Sequence, residues 1–168
     1  ELQYQDMSDH IKLGRGGIRE IEFVVQSHQI IYGGRHQTLQ TASIWLALTA
    51  LESLGIVDHQ CVEQLCSAYD FLRRLEHRLQ VLDDQQTHRI PTGSVEKRRI
   101  ATAMNFESES HLLSRLNQVT EGVHQIFVDI FTPVADLDAT ESTYLADIWQ
   151  GVLPADAAGK KLAAAGFR

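Results

Sequence analysis

The segment of this sequence best suited to chemistry is a glycine-rich stretch that carries basic side chains. Three glycines and two basic residues lie directly before a helical pattern: Gly14, Gly16, Gly17, Lys12 and Arg15. A glycine-rich backbone can point its amides at an anion, and the N-terminus of the following helix favours negative charge. The pattern indicates a phosphate-facing or interdomain loop, although its spacing is not that of a P-loop.

The first turns of that helix add four polar side chains. Arg19, Glu22 and Gln26 recur at i, i+3 and i+7 and therefore share one face. Glu20 leaves the helix about 160° away from Glu22, so the two carboxylates cannot line one site. A second interpretation stays open, in which the glycines form a tight turn and Arg19 pairs with Glu22 on the surface.

A second charged cluster lies between core leucines over residues 71–79. Three arginines there, Arg73, Arg74 and Arg78, could bind a carboxylate or a phosphate. The alternative is a network with Asp70, Glu76 and Asp83 that locks neighbouring helices together. We favour the alternative and expect a structural salt-bridge network formed by Arg73, Arg74, Glu76, Arg78 and Asp84.

Other patterns give little support for catalysis or metal binding. The eight histidines form no H-x-x-x-H or H-E-x-x-H pair, so we expect no metal site in this chain. Asp136 and Asp138 make a D-x-D, but it lacks the flanking strand and glycine turn of a catalytic site. Cys61 and Cys66 are too few and wrongly spaced for a disulfide framework or a C-x-x-C metal knuckle, which favours a reducing compartment.

Composition narrows the class of protein. The 168 residues suit one domain, or one domain with an appendage, and 43% hydrophobic with 22% charged residues is typical of a globular fold. A net charge of −7 argues against a nucleic-acid binder. No apolar run approaches the roughly 20 residues of a membrane span and no signal peptide is visible, so we expect a cytoplasmic protein without a membrane partner. A start at Glu1 and an end at Arg168 suggest a piece of a longer chain.

Charge is distributed unevenly along the chain. Residues 100–159 hold one basic side chain, Arg115, against nine acidic ones. Such a stretch is typical of a solvated helix face, and it is also compatible with a docking surface for a basic partner.

Apolar spacing predicts helices almost everywhere. We expect an all-α fold, a multi-helix bundle with one long central helix over about 58–84 that Asp58 caps. The other predicted helices cover residues 18–32, 41–54, 94–104, either 108–131 or 110–131, and 140–150. A short strand is possible at residues 10–13. We further expect an irregular segment over 1–17, a bundle domain over 18–135, and short helices with a linker over 136–168.

Three motifs in order resemble one known family. GGIREIEF at residues 16–23, RRLEHRLQ at 73–80 and QTHRIP at 86–91 are similar to the bifunctional glutamine synthetase adenylyltransferase/adenylyl-removing enzymes. The resemblance covers roughly residues 11–135 and points to the helical segment after the N-terminal, adenylyl-removing nucleotidyltransferase core. Protein-PII uridylyltransferases share the pattern Lys-x-Gly-x-Gly-Gly-x-Arg-acid at 12–20 but diverge at Glu22-Phe23 and at 75–78, so they rank second.

The resemblance implies that this chain is catalytically inactive by itself. The family holds Mg²⁺ with a strand-borne Asp-x-Asp and a third carboxylate, and none of these is present here; the resemblance places them upstream. We therefore expect no catalytic residue and no cofactor in this chain, whereas Mg²⁺ and ATP or ADP are implied for the parent nucleotidyltransferase.

For the parent, the resemblance implies control of glutamine synthetase in nitrogen metabolism, by adding and removing an adenylyl group on a tyrosine. Implied partners are glutamine synthetase, the PII signal protein, and the upstream and downstream domains of the same chain. This segment would help to close over the nucleotide or the modified tyrosine, or would serve as a PII-binding regulatory module away from the reaction. The candidate nucleotide- or interdomain-facing residues are Lys12, Arg15, Gly16, Gly17, Arg19, Glu20, Glu22 and Gln26.

Overall fold

A computed structural model describes residues 9–83 and 88–131. These two described segments contain five α-helices: α1 (Ile18–Tyr32), α2 (Ile44–Ser53), α3 (His59–Asp83), α4 (Ser94–Ala103) and α5 (Glu109–Phe131). The chain divides into two units, Glu1–Ile130 and Phe131–Arg168, and everything described below up to Ile130 belongs to the first.

Helix α1 has the bounds that its apolar spacing predicts. Its buried side chains, Ile18, Ile21, Val24 and Val25, recur at helical intervals and face the core. The helix ends where the amide of Gly33 donates to the carbonyl of Gln29 at 2.8 Å.

Helix α2 starts three residues later than the sequence predicts. The side-chain amide of Gln29 donates to the carbonyl oxygens of Leu39 (2.7 Å) and Thr41 (2.8 Å), which holds this part of the chain in the connection from α1. That connection includes a short 3-10 turn, Gln37–Leu39. The hydroxyl of Ser43 then accepts from the amide of Leu46 and caps α2.

Helix α3 is the long central helix. The predicted cap is confirmed, because a carboxylate oxygen of Asp58 accepts from the amide of Cys61 at 2.9 Å. Its 25 residues span about 38 Å, and it packs against α1, α2 and α4. Four leucines of α3 are buried in the core: Leu65, Leu72, Leu75 and Leu79.

Helix α5 closes the described bundle. The hydroxyl of Ser108, rather than that of Ser110, caps it by accepting from the amide of His111 at 3.2 Å. Its buried stripe consists of Leu112, Leu116, Val119 and Val123.

The two described segments contain no sheet, and the all-α fold is confirmed there. The strand expected at 10–13 is reduced to one antiparallel bridge between His10 and Arg89. Amide-to-carbonyl bonds from Ile11 to His88 (3.0 Å) and from Ile90 to Asp9 (2.9 Å) flank the bridge. Pairing stops there because the chain after His10 turns at once into the glycine-rich loop. Within the described part, no helix has the length and apolarity needed to cross a bilayer.

Several sequence expectations fall outside the described residues. The helix predicted at 140–150, the D-x-D at 136–138 and the side chain of Asp84 all lie there. The domain limits at 17 and 135 stay predictions.

Candidate functional site

The glycine-rich loop, residues 9–17, accepts backbone hydrogen bonds from the first amides of α1. The amide of Gly17 donates to Gly14, that of Ile18 to Ile11, and that of Arg19 to Lys12, at 2.9–3.1 Å. These bonds satisfy the amides at the N-terminus of α1, which are the groups that an anion would need. In this conformation, the amides of Gly17, Ile18 and Arg19 are not available to a ligand.

Gly16 lies against the backbone of α5. Its φ is +68°, in the left-handed region that favours glycine, and a methyl group there would overlap the carbonyl oxygen of Thr120. A Cβ at Gly17 would meet the carbonyl oxygens of Ile11, Gly14 and Lys12 at 2.7–2.9 Å. Both glycines therefore have an architectural reason to be present.

Two polar contacts join this region to α5. Arg15 donates from Nη2 to Oε1 of Glu121 at 3.1 Å, between side chains that are both exposed. Nδ1 of His124 lies 3.2 Å and 3.3 Å from the two carboxylate oxygens of Glu20, and this pair is mostly buried. Together with Gly16, these contacts fix the start of α1 beside the middle of α5.

A groove of about 250 Å³ follows the same α1–α5 boundary. We call it the α1–α5 groove; its lining residues are Arg19, Glu20, Phe23, Gln26 and Phe127. Three of the eight residues singled out from the sequence thus converge on one concave surface. The two phenylalanine rings lie 5.9 Å apart, tilted by 47°. The groove combines an aromatic wall with a guanidinium, a carboxylate and a carboxamide.

The other predicted residues point elsewhere. Glu22 accepts from Nη1 of Arg19 at 3.3 Å, the surface pair expected from the i, i+3 spacing, and does not line the groove. Glu20 and Glu22 face different surroundings, as their angular separation predicts. The side chain of Arg19 is 58% exposed, so most of its donors remain open to solvent.

Lys12 belongs to a second cluster, centred on the buried carboxylate of Glu76. Glu76 is 1% exposed and pairs with Arg73 one turn earlier on α3. Its Oε1 lies 3.8 Å from Nζ of Lys12 and 3.0 Å from Nδ1 of His88. Glu76 therefore ties the glycine-rich loop and the chain after α3 to the central helix.

The arginines of α3 do not link helices in the way we expected. Arg73 pairs with Glu76, and Arg74 with Asp70 at 3.6 Å, both within α3. Arg78 is exposed and forms no ion pair with any residue that the structure describes. The cross-element links run instead through Lys12 and His88, because Glu76 is the member of the cluster that points into the fold.

Two histidines, His10 and His88, lie close together near this cluster. The rings of His10 and His88 lie 5.6 Å apart. Burial lowers the pKa of His10 below its usual value, and the neighbouring charges of His88 and Arg89 add to that shift. The charge of Lys12 acts in the same direction, so a positive charge on His10 is disfavoured.

No metal-binding group of three or more acidic, histidine or cysteine side chains occurs within 9–83 and 88–131. Cys61 and Cys66 are free thiols, both on α3. Burial raises the pKa of Cys61 to about 11, helped by the charges of Asp58 and Asp129. A thiol in this state is a poor nucleophile at neutral pH.

Apart from Phe23 on α1, the groove and loop contacts that sequence reasoning missed lie on α5. His124, Phe127, Thr120 and Glu121 complete the surroundings of the groove and the loop, about 100 positions after their partners. In the sequence they are ordinary members of an amphipathic helix. No local spacing marks them, because helix packing alone brings them to α1.

Comparison with known proteins extends this description. A family model described as GlnD PII-uridylyltransferase matches residues 2–131, a range that contains every residue of the groove and of the Glu76 cluster. The chain belongs to this family.

Three curated relatives of the chain carry the name bifunctional glutamine synthetase adenylyltransferase/adenylyl-removing enzyme. The protein of Idiomarina loihiensis is 38% identical over 94% of this chain and 17% of its own length. The protein of Methylococcus capsulatus is 45% identical over 77% of this chain and 14% of its own length. The protein of Nitrosococcus oceani is 41% identical over 100% of this chain and 18% of its own length. The resemblance seen in the motifs is confirmed, and the chain spans less than a fifth of these relatives.

Proposed function

We propose that this chain is the helical segment of a bifunctional glutamine synthetase adenylyltransferase/adenylyl-removing enzyme, and that the α1–α5 groove faces the reaction. The observation that carries the proposal is the convergence of Arg19, Glu20 and Gln26 on one groove. The names of the curated relatives support the choice of parent. The parent would act on glutamine synthetase in the cytoplasm and contribute to nitrogen regulation.

The segment would assist the reaction without performing it. Nucleotidyl transfer needs metal-borne charge stabilisation, which Mg²⁺ and ATP or ADP would supply in another part of the parent. Here Arg19 would hold an anionic group, a phosphate or a carboxylate, through charge-assisted hydrogen bonds. Phe23 and Phe127 would keep water away from one side of that group, which strengthens the electrostatic contact.

A regulatory role is a further part of this proposal. The PII signal protein is its expected partner, together with other domains of the same chain. Exposed carboxylates at Glu107, Glu121 and Asp129 on or beside α5 would suit the docking of a basic partner.

A second candidate parent is a PII-uridylyltransferase, favoured by the description of the matching family. The two parents differ in nucleotide and in target protein. Incubating the full-length parent with ATP and glutamine synthetase, and separately with UTP and PII, distinguishes them by which protein is modified. Modification of PII alone would replace our first choice.

The role of the groove is tested with Arg19→Ala in the full-length parent. Loss of one charge-assisted hydrogen bond, about 1.5–3 kcal/mol, predicts a tenfold to hundredfold fall in adenylyl removal. Arg74→Ala is the matched control, since Arg74 is 54% exposed against 58% for Arg19 and also pairs with a carboxylate of its own helix.

The readouts are the rate of adenylyl removal and the melting temperature. We expect Arg19→Ala to lower the rate with little change in melting temperature, and Arg74→Ala to alter neither. Equal activity of the two variants, or a fall in activity that simply follows a fall in melting temperature, would contradict a role for the groove.

A further inference from the structure

We infer that the α1–α5 groove binds the purine base of an adenine nucleotide. Phe23 stacks on the base, Gln26 recognises its edge, and Arg19 reaches towards its phosphate. The inference rests on the proposed function and adds to it a ligand class and a role for each side chain. Phe23 and Phe127, which the sequence does not single out, become the central binding residues.

The spacing along α1 supports this assignment. Arg19, Phe23 and Gln26 recur at i, i+4 and i+7, so they occupy successive turns of one helix face. From Arg19 to Gln26 the helix rises about 10 Å. A cation at one end, a carboxamide at the other and an aromatic ring between them match the order of phosphate, base face and base edge in an extended nucleotide.

The aromatic wall is exposed on one side and held on the other. Phe23 is 53% exposed, although it is a large apolar side chain. Phe127 is fixed behind it, with its ring stacked 6.3 Å from that of His124 at 18°. His124 is itself held by Glu20. The Phe127 side of the wall is therefore pre-organised, which lowers the cost of ordering side chains when a base stacks on the wall.

Gln26 has the chemistry that recognises adenine. A glutamine carboxamide can accept from the 6-amino group and donate to N7 of the same base, which hypoxanthine cannot fully reproduce. The side chain of Gln26 is exposed and makes no hydrogen bond to any residue within 9–83 and 88–131. Its donor and acceptor are thus available on the wall of the groove.

The local charges predict that the base matters more than the phosphate. Arg19 has Glu22 at 3.3 Å and Glu20 at the same groove, so two carboxylates offset its charge. The amides at the helix start already donate to the loop. We therefore expect AMP to bind more tightly than adenosine through its contact with Arg19, with the base still supplying most of the affinity, and inorganic phosphate alone to leave the groove unaffected.

The test is an NMR titration of the 168-residue chain with adenosine, AMP, IMP and inorganic phosphate. We expect AMP and adenosine to shift the ring resonances of Phe23 and Phe127, and IMP to bind more weakly. Because stacking on one aromatic ring contributes roughly 1–3 kcal/mol, Phe23→Ala should weaken AMP binding about fivefold to hundredfold. Gln26→Ala should remove the preference for AMP over IMP.

Ile30→Ala is the matched control. Ile30 lies on the same face of α1, is 84% exposed and does not line the groove, so its loss should leave AMP binding unchanged. Equal shifts with inorganic phosphate, no shift with AMP, or equal weakening by Ile30→Ala would overturn the inference. Because Gln26 is exposed, Gln26→Ala tests the inference even where Phe23→Ala perturbs the fold.

The result for AMP binding can be distinguished from the result for the proposed function. Absence of AMP binding, together with a loss of adenylyl removal in Arg19→Ala of the parent, would leave the proposed function standing without this ligand. AMP binding together with unchanged adenylyl removal would leave the groove as a nucleotide site and contradict its role in the reaction.

Discussion

Replacing Gly16 by alanine tests the close approach of the glycine-rich loop to α5. The residue has φ +68°, and its Cβ would overlap the carbonyl oxygen of Thr120. The left-handed conformation costs a non-glycine residue about 1–2 kcal/mol. Relieving the overlap requires the loop or α5 to move, which costs about 1–3 kcal/mol more, as in other overpacked sites.

Gly55 provides a matched control for this substitution. It also has φ +68°, but nothing lies within 4 Å of its Cβ position. Gly55→Ala therefore carries only the conformational cost, about 1–2 kcal/mol, whereas Gly16→Ala carries both costs, about 2–5 kcal/mol. The difference between the two variants measures the packing of the loop against Thr120.

Thermal unfolding followed by circular dichroism measures both variants. For a chain of this size, 1 kcal/mol corresponds to about 2–4 °C in melting temperature. We expect Gly55→Ala to lower it by about 2–8 °C and Gly16→Ala by about 4–20 °C. Equal shifts for the two variants would refute the close contact, and with it the placement of α1 against α5.

Three further predictions follow from individual contacts. Glu76→Gln should lower the free energy of unfolding, measured by urea titration, by about 1–3 kcal/mol, because it removes the buried charge that pairs with Lys12 and Arg73. An unchanged urea midpoint would contradict the buried cluster. The hydrogen bond between His59 and Glu52 raises the pKa of His59 above 6.5. The loss of stability in Glu52→Gln should therefore be largest below pH 6.5, where His59 is charged in both states, and should vanish as the pH rises through the raised pKa. Cys61, with a pKa of about 11, should react with a thiol reagent at pH 7 far more slowly than an unfolded control, and equal rates would contradict its burial.

The helices were largely predictable because their signals are local. Apolar spacing and Gly33 define α1, and the carboxylate of Asp58 marks the start of α3 within three residues of the amide that it caps. The pair formed by Arg19 and Glu22 follows from helix geometry alone. In each case the interacting residues lie within one or two helical turns of each other, so their spacing in the sequence is enough to predict the contact.

The site was less predictable because its contacts cross the fold. Glu20 meets His124 over 104 positions, and Lys12 meets Glu76 over 64, at places set by how the helices pack. One signal was present for Glu76: it directly follows Leu75 and precedes Leu79 by three positions, which places it at the edge of the core stripe. The hydrogen bonds from the first amides of α1 to the glycine-rich loop had no such signal, since the same glycines are compatible with an open or a closed loop.

The most direct test of the central claim is site-specific photo-cross-linking in the full-length parent. A photoreactive residue at Gln26 reports on the α1–α5 groove, and one at Gln64, on the exposed surface of α3 near α5, is the control. If the α1–α5 groove faces the reaction, the residue at position 26 should cross-link to the nucleotidyltransferase part of the parent, and the residue at position 64 should not. Cross-linking from position 64 alone would contradict the account.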